Sequence, residues 1–99
     1  MEWIRNGDVI LTKVSEIKGK QVMKQEEILA EGEVTGHFHR LQSKQMLVSE
    51  QDGQRFVELK EDGKLTHQEH DTLIIPSGKY QVLIQREVDL LGEVRQVMD

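Results

Sequence analysis

Residues 45–60 read QMLVSEQDGQRFVELK and have the pattern of a β-hairpin. Short runs of apolar residues lie on both sides of the pair Asp52-Gly53. An Asp-Gly pair favours a tight hairpin turn, because glycine tolerates a positive φ. We therefore expect two antiparallel strands here, one over residues 45–49 and its return over residues 55–60.

Strand and turn signals continue in both directions from this hairpin. Further strands, each bounded by glycine, proline or a polar turn, are expected at residues 8–14, 32–40, 72–75, 80–88 and 93–98. The first of these follows the turn signal Asn6-Gly7. Residues 16–30 are ambiguous, because Gly19 interrupts any longer helix, and we expect one long loop there with a strand or a single helical turn. Short strands separated by turns predict one all-β domain over residues 1–99, a small barrel or sandwich.

Composition excludes several classes of function. The 99 residues carry a formal net charge of -5, which argues against binding to nucleic acid or to an anionic membrane. No apolar run approaches the length of about 20 residues that a membrane helix needs. The first residues, MEWIRNGD, lack the apolar core of a secretory signal, so a cytoplasmic location is expected. There is no cysteine, and therefore neither a disulfide nor a thiolate ligand.

All four histidines fall in two close pairs, His37/His39 and His67/His70. Two side chains separated by one residue point to the same face of a strand, so His37 and His39 can converge on one ion. His67 and His70 converge if the polar segment around Glu69 bends. Neutral imidazole is a ligand for zinc, iron and nickel, and also for copper. The spacing therefore predicts a divalent transition metal bound by both pairs, with Glu69 as a variable fifth donor.

Two acidic residues are candidates for orienting the histidine rings. Metal-bound imidazoles usually donate their second ring N–H to a carboxylate or a carbonyl. Glu33 and Asp71 lie close enough in sequence to the two pairs to serve as these second partners. No residue is assigned a catalytic role, since no nucleophile or nucleotide-binding motif is present.

A metal-free alternative stays open. Histidines and glutamates can form a hydrogen-bonded polar surface or a patch that titrates near pH 6.5. The chain would then be an interaction module that forms a homo-oligomer or docks on a larger protein through an exposed strand edge.

The order of motifs resembles a family of small bacterial and phage proteins that has no known activity. The matching stretches are GDV, GEVTGHFHRL, H-x-E-H and P-S-G-x-Y-x-V-x-x-Q-R-E, which together span most of the chain. The sequence departs from that pattern at Val88, where the family has tyrosine. This resemblance implies that the motif residues act as a unit, but implies no reaction.

A second resemblance is to the cupin barrels. GHFHRLQ is similar to their first metal motif, with His37 and His39 as its two histidines, and Pro76-Ser77-Gly78 is similar to part of their second motif. The glutamate and the third histidine of the usual cupin ligand set are replaced here by Gln42 and Gln81. The resemblance thus implies a cupin-like barrel without the usual ligands.

Overall fold

Eight β-strands make up the regular structure of residues 3–32 and 36–85, which are the residues that the computed structural model describes. The strands are β1 (Trp3–Asn6), β2 (Val9–Lys13), β3 (Val22–Glu31), β4 (Phe38–Gln51), β5 (Gln54–Leu59), β6 (Gly63–Thr66), β7 (Leu73–Ile75) and β8 (Gly78–Ile84). They form one antiparallel sheet in the order β1-β2-β8-β5-β4-β6-β7, and β3 pairs with the other edge of β4. The sheet curls into a nearly closed barrel, which confirms the all-β class. No helix in the described part of the chain is long and apolar enough to cross a membrane.

The predicted hairpin at residues 45–60 is confirmed. Gln51 pairs with Gln54 across a two-residue turn, and both turn residues have a positive φ, 55° at Asp52 and 77° at Gly53. Positive φ at both central residues is the type I′ geometry, whose twist matches that of the flanking strands.

β4 is longer than the sequence pattern predicts, because it joins two expected strands into one. It begins at Phe38 rather than near residue 32, since Gly36 lies in a turn with a φ of 87°. It then continues to Gln51, so that the strand expected at residues 45–49 is its C-terminal half. Residues 43–45 of β4 lie opposite the single residue Gln25 of β3, which marks a pronounced irregularity in the middle of the strand.

The long loop expected near residues 16–30 is shorter than predicted, and of the two alternatives expected within it, a strand or a single helical turn, the structure has the strand. Residues 22–31 form the ten-residue strand β3, and the connection from β2 is limited to residues 14–21. Only Leu29 of this strand is buried in the core, at 2% exposure. A strand that is exposed on both faces lacks the alternation of apolar and polar residues by which strands are recognised. Its conformation is fixed by backbone pairing with β4.

The core fills the interior of the barrel with apolar side chains from almost every strand. Its fully buried members include Val9, Leu11, Leu29, Leu41, Met46, Val57, Leu59, Leu65, Ile75 and Tyr80. The Tyr80 hydroxyl donates a 2.7 Å hydrogen bond to the Pro76 carbonyl, and burial raises the pKa of this phenol above its ordinary value. The strand expected at residues 80–88 is present as β8 up to Ile84, whereas its expected end and the strand expected at 93–98 lie outside the described residues.

Candidate metal centre

Three of the four histidines meet at one end of the barrel. The ligand nitrogens of His39, His67 and His70 all lie within 4.8 Å of one another. The ring centroid of His67 is 4.4 Å from that of His39 and 4.6 Å from that of His70. The structure therefore brings residues from both sequence pairs to a common point.

The pairing of β4 with β6 explains why His39 and His67 meet. Arg40 lies opposite Thr66 in this antiparallel ladder, so that one further step places His39 beside His67. The chain bends at residues 68–70, directly after this point, and returns His70 to the same end. The bend that His67 and His70 need in order to converge is thus present.

The turn between β1 and β2 forms the wall opposite these rings. Gly7 has a φ of 60°, and a Cβ atom at this position would lie 3.0 Å from Nε2 of His70 and 3.3 Å from Nε2 of His39. A larger residue would press into the imidazoles. A cleft of about 120 Å³ lies between this turn and the three rings, and it is also lined by Ala30, Glu31 and Gly32.

Asn6 holds the ring of His39 in place. Its side-chain amide Nδ2 donates to the Asp71 carbonyl at 3.3 Å, which leaves Oδ1 directed at His39 Nε2, 3.0 Å away. Because Oδ1 can only accept, Nε2 of His39 carries the proton and Nδ1 presents its lone pair. An ordered second ring N–H is the usual feature of a histidine that binds a metal.

His39 and His67 favour the neutral form that a metal requires. Burial lowers the pKa of His39 below its ordinary value of 6.5, and His67 and His70 lower it further, while Asn6 and Asp8 act in the opposite direction. The pKa of His67 is also lowered, first by desolvation and then by His70 and His37, against the raising effect of Glu69 and Asp8. Adjacent rings that repel each other's charge are available as lone-pair donors at neutral pH.

His37 and Glu69 flank the cluster without joining it. Nδ1 of His37 is 3.8 Å from a carboxylate oxygen of Glu69, and its ring meets that of His67 edge-on with centroids 5.7 Å apart. The backbone N–H of Glu69 donates to Nδ1 of His67 at 3.0 Å. A metal bound at Nε2 of His67 requires the proton to move to Nδ1 and this hydrogen bond to break.

The two residues expected to orient the rings have different outcomes. Asp71 contributes through its backbone carbonyl, which accepts a hydrogen bond from the Asn6 side chain. Glu33 lies outside the described residues.

Sequence reasoning missed Asn6, Gly7 and Asp8 as parts of this site. The Asn-Gly pair signals a turn, and the structure confirms a two-residue turn between β1 and β2, with Asn6 opposite Val9. Nothing in the local sequence indicates that this turn lies against His39 and His70.

Fold and site together define a class, a small antiparallel β-barrel domain with three clustered histidines at one end. A protein-family model described as "Domain of unknown function (DUF8820)" matches residues 5–85, and the chain belongs to this family. No curated protein and no solved structure matches the chain. The resemblance to cupin barrels therefore stays a prediction.

Proposed function

We propose that this domain binds one divalent transition-metal ion through His39, His67 and His70. The observation that carries the proposal is the convergence of three ligand nitrogens within 4.8 Å, contributed by both sequence pairs. Two nitrogens bound to the same zinc ion at about 2.0–2.1 Å can be no more than about 4.2 Å apart. Side-chain rotations would bring the nitrogens to this separation, and binding through Nε2 of His67 would also break its hydrogen bond with the Glu69 N–H.

The donor set suits zinc, iron or nickel. Three neutral imidazoles are a common set for a zinc ion that keeps a fourth position open. Asn6 supplies the outer hydrogen bond that orients His39. Asp8 places a negative charge near the rings, and this charge acts to raise the pKa values of both His39 and His67. This charge favours a cation at the cluster.

The bound ion would join parts of the chain that are far apart in sequence. His39 lies at the start of β4, and His67 and His70 lie in the connection between β6 and β7. Binding to the folded state alone stabilises a protein, by about 2.7 kcal/mol when the free metal is at 100 times its Kd. The small cleft leaves space at the open position for water or a ligand of a few atoms, so that a structural or small-ligand-sensing role fits better than turnover of a large substrate.

His70 and His37 provide a matched pair of variants for testing this proposal. His70 is exposed and His37 is partly exposed, so that neither substitution opens a hole in the core. Untagged protein would be stripped with chelator and titrated with zinc and with nickel by calorimetry, and the metal content of the untreated protein would be measured by elemental analysis.

We expect about one equivalent of metal in the wild type, and a loss of affinity of at least about tenfold in His70→Ala. His37→Ala should bind nearly as well as the wild type, because its ring lies outside the three-histidine cluster. A wild-type chain that binds neither metal, or equal losses in both variants, would overturn the proposal.

A further inference from the structure

We propose that two copies of this chain associate by antiparallel pairing of β3 with β3 across a two-fold axis at Gln25. Within residues 3–32 and 36–85, β3 pairs with no strand other than β4, so that its second edge lacks a strand partner. Near the C-terminal end of β3, the Arg55 guanidinium donates to the carbonyls of Ile28 and Leu29 at 3.0 and 3.2 Å. A long strand with such an edge is a template for pairing with another chain. This proposal is independent of the metal site, since the pairing segment ends at Ile28.

Apolar exposure is concentrated on the same strand. Of the six large hydrophobic residues found exposed in the described part of the chain, three belong to β3: Val22 at 49%, Met23 at 57% and Ile28 at 40%. Apolar side chains grouped on a strand edge mark an interaction surface more often than isolated ones do.

The even-numbered residues of β3 form a self-complementary row. Val22, Lys24, Glu26 and Ile28 share one face of the strand and present an apolar, a positive, a negative and an apolar side chain in turn. In an antiparallel copy centred on Gln25, Val22 lies opposite Ile28 and Lys24 lies opposite Glu26. Both contacts occur twice by symmetry. A two-fold interface requires this kind of self-complementarity, which is why we assign the edge to a second copy.

Neighbouring registers lose this complementarity. In an antiparallel pair, two residues that lie opposite each other direct their backbone N–H and C=O groups either both toward the partner strand or both away from it. A two-fold axis therefore has to pass through a residue of the strand rather than between two residues. An axis at Lys24 would oppose two ammonium groups, and an axis at Glu26 would oppose two carboxylates. Like charges directly opposite each other are destabilising.

The local geometry of β3 is compatible with pairing over residues 22–28. The Ile28 carbonyl accepts a hydrogen bond from Arg55 at 3.0 Å, and its second lone pair stays available to a partner strand. The register shift at Gln25 arises from extra residues of β4, and the bulge of β3 itself, at Leu29, lies beyond the paired segment. Lys24 contacts Glu27 at 2.9 Å, and Glu26 lies 3.6 Å from Arg40. These exposed ion pairs contribute little to stability, so they do not prevent Lys24 and Glu26 from pairing with each other across the axis.

Charge reversal provides a test that separates association from folding. In Lys24→Glu, two glutamates would face each other at both symmetric contacts, and in Glu26→Lys two lysines would. Each variant alone should be monomeric, while an equimolar mixture should form a heterodimer, because every contact is then again between opposite charges. No effect within a single chain can produce this recovery.

The measurement is sedimentation equilibrium from about 10 to 500 µM, because an interface of one strand pair falls at the weak end of protein–protein interfaces. The wild type should approach twice the 11.5 kDa mass of one chain. Circular dichroism confirms that each variant is folded. A wild type that stays monomeric throughout, single variants that dimerise as well as the wild type, or a mixture that stays monomeric would each overturn the proposal.

The register itself can be tested by cross-linking, since the chain has no cysteine. Gln25→Cys would place two thiols opposite each other at the axis, within the Cα separation of about 4.4–6.8 Å that a disulfide requires. Met23→Cys is the matched control on the same face, where the two thiols would be about 13 Å apart along the strands. A disulfide dimer in the first variant and not in the second supports the register; equal yields would overturn it.

Discussion

Two tight turns of this barrel have similar sequences and different surroundings. Gly7-Asp8 joins β1 to β2 and Asp52-Gly53 joins β4 to β5, each between antiparallel neighbours. A Cβ atom added to Gly53 would contact nothing within 4 Å, whereas one added to Gly7 would meet the rings of His70 and His39. The Asp52-Gly53 turn thus only reverses the chain, whereas the Gly7-Asp8 turn also lines the histidine site.

The turns also differ in their backbone conformation. Both central residues of the Asp52-Gly53 turn have a positive φ, while in the other turn only Gly7, the first central residue, does. Glycine at the first position alone is the type II′ pattern, and the other is type I′. Both geometries match the twist of a hairpin, so that the difference between the two turns lies in their neighbours.

The largest effect is expected from Gly7→Ala. Alanine at a φ of 60° is strained, and its Cβ would lie 3.0 Å from Nε2 of His70. We expect a loss of about 2 kcal/mol or more in the free energy of unfolding, together with loss of metal binding, because the rings must move. Urea denaturation and zinc titration measure the two effects.

Gly53→Ala is the control for this change. The added Cβ has the same kind of backbone strain but no close neighbour. The free energy of unfolding should therefore fall by about 1 kcal/mol, and the variant should bind metal as the wild type does. If both alanine variants bound zinc equally well, the wall formed by Gly7 would have no role in the site.

A somewhat smaller effect is expected from Asn6→Ala. The substitution leaves the Nε2 proton of His39 and the Asp71 carbonyl without their partner. The free energy of unfolding should therefore fall by about 1–3 kcal/mol. Metal affinity should fall by about 10–100-fold, because His39 is no longer oriented. Calorimetric titration and thermal unfolding provide the readouts.

Gln51 precedes the second turn as Asn6 precedes the first, and it is exposed. Gln51→Ala should therefore change neither stability nor affinity by a measurable amount. Unchanged affinity in Asn6→Ala would show that the tautomer of His39 is set by another group.

The smallest effect concerns the pH dependence of stability in metal-free protein. Because the pKa of folded His39 is lowered from 6.5, the unfolded chain binds more protons than the folded chain once the pH falls below about 6.5. This contribution to stability is complete above pH 6.5 and is lost as the pH falls toward the lowered value. His67 acts in the same direction.

Denaturation midpoints between pH 8 and pH 5 would measure this dependence. A His39→Gln variant should show a flatter profile, because one of the two lowered groups is removed. Stability that rises on acidification through this range would contradict the lowered pKa values.

Turn signals and short apolar runs were sufficient to predict the central hairpin and the all-β class. They failed at β3, where exposed residues such as Lys24 and Glu26 carry no alternation, and at the start of β4, where Gly36 turns the chain. At the site, the sequence indicated the histidines but not which of them converge. His37 was grouped with His39 by strand alternation, yet it precedes β4 and faces Glu69 instead.

The sequence by itself determined the tight hairpin at Asp52-Gly53, the all-β class and the identity of the imidazoles available to a metal. These properties depend on φ preferences and side-chain patterns within a few neighbouring residues. Only the tertiary structure decided that Asn6 and Gly7 lie against His39 and His70, and that one edge of β3 has no strand partner among the described residues. Such contacts depend on which strands pair and in which register, and this is set by packing of the whole core, which no local segment specifies.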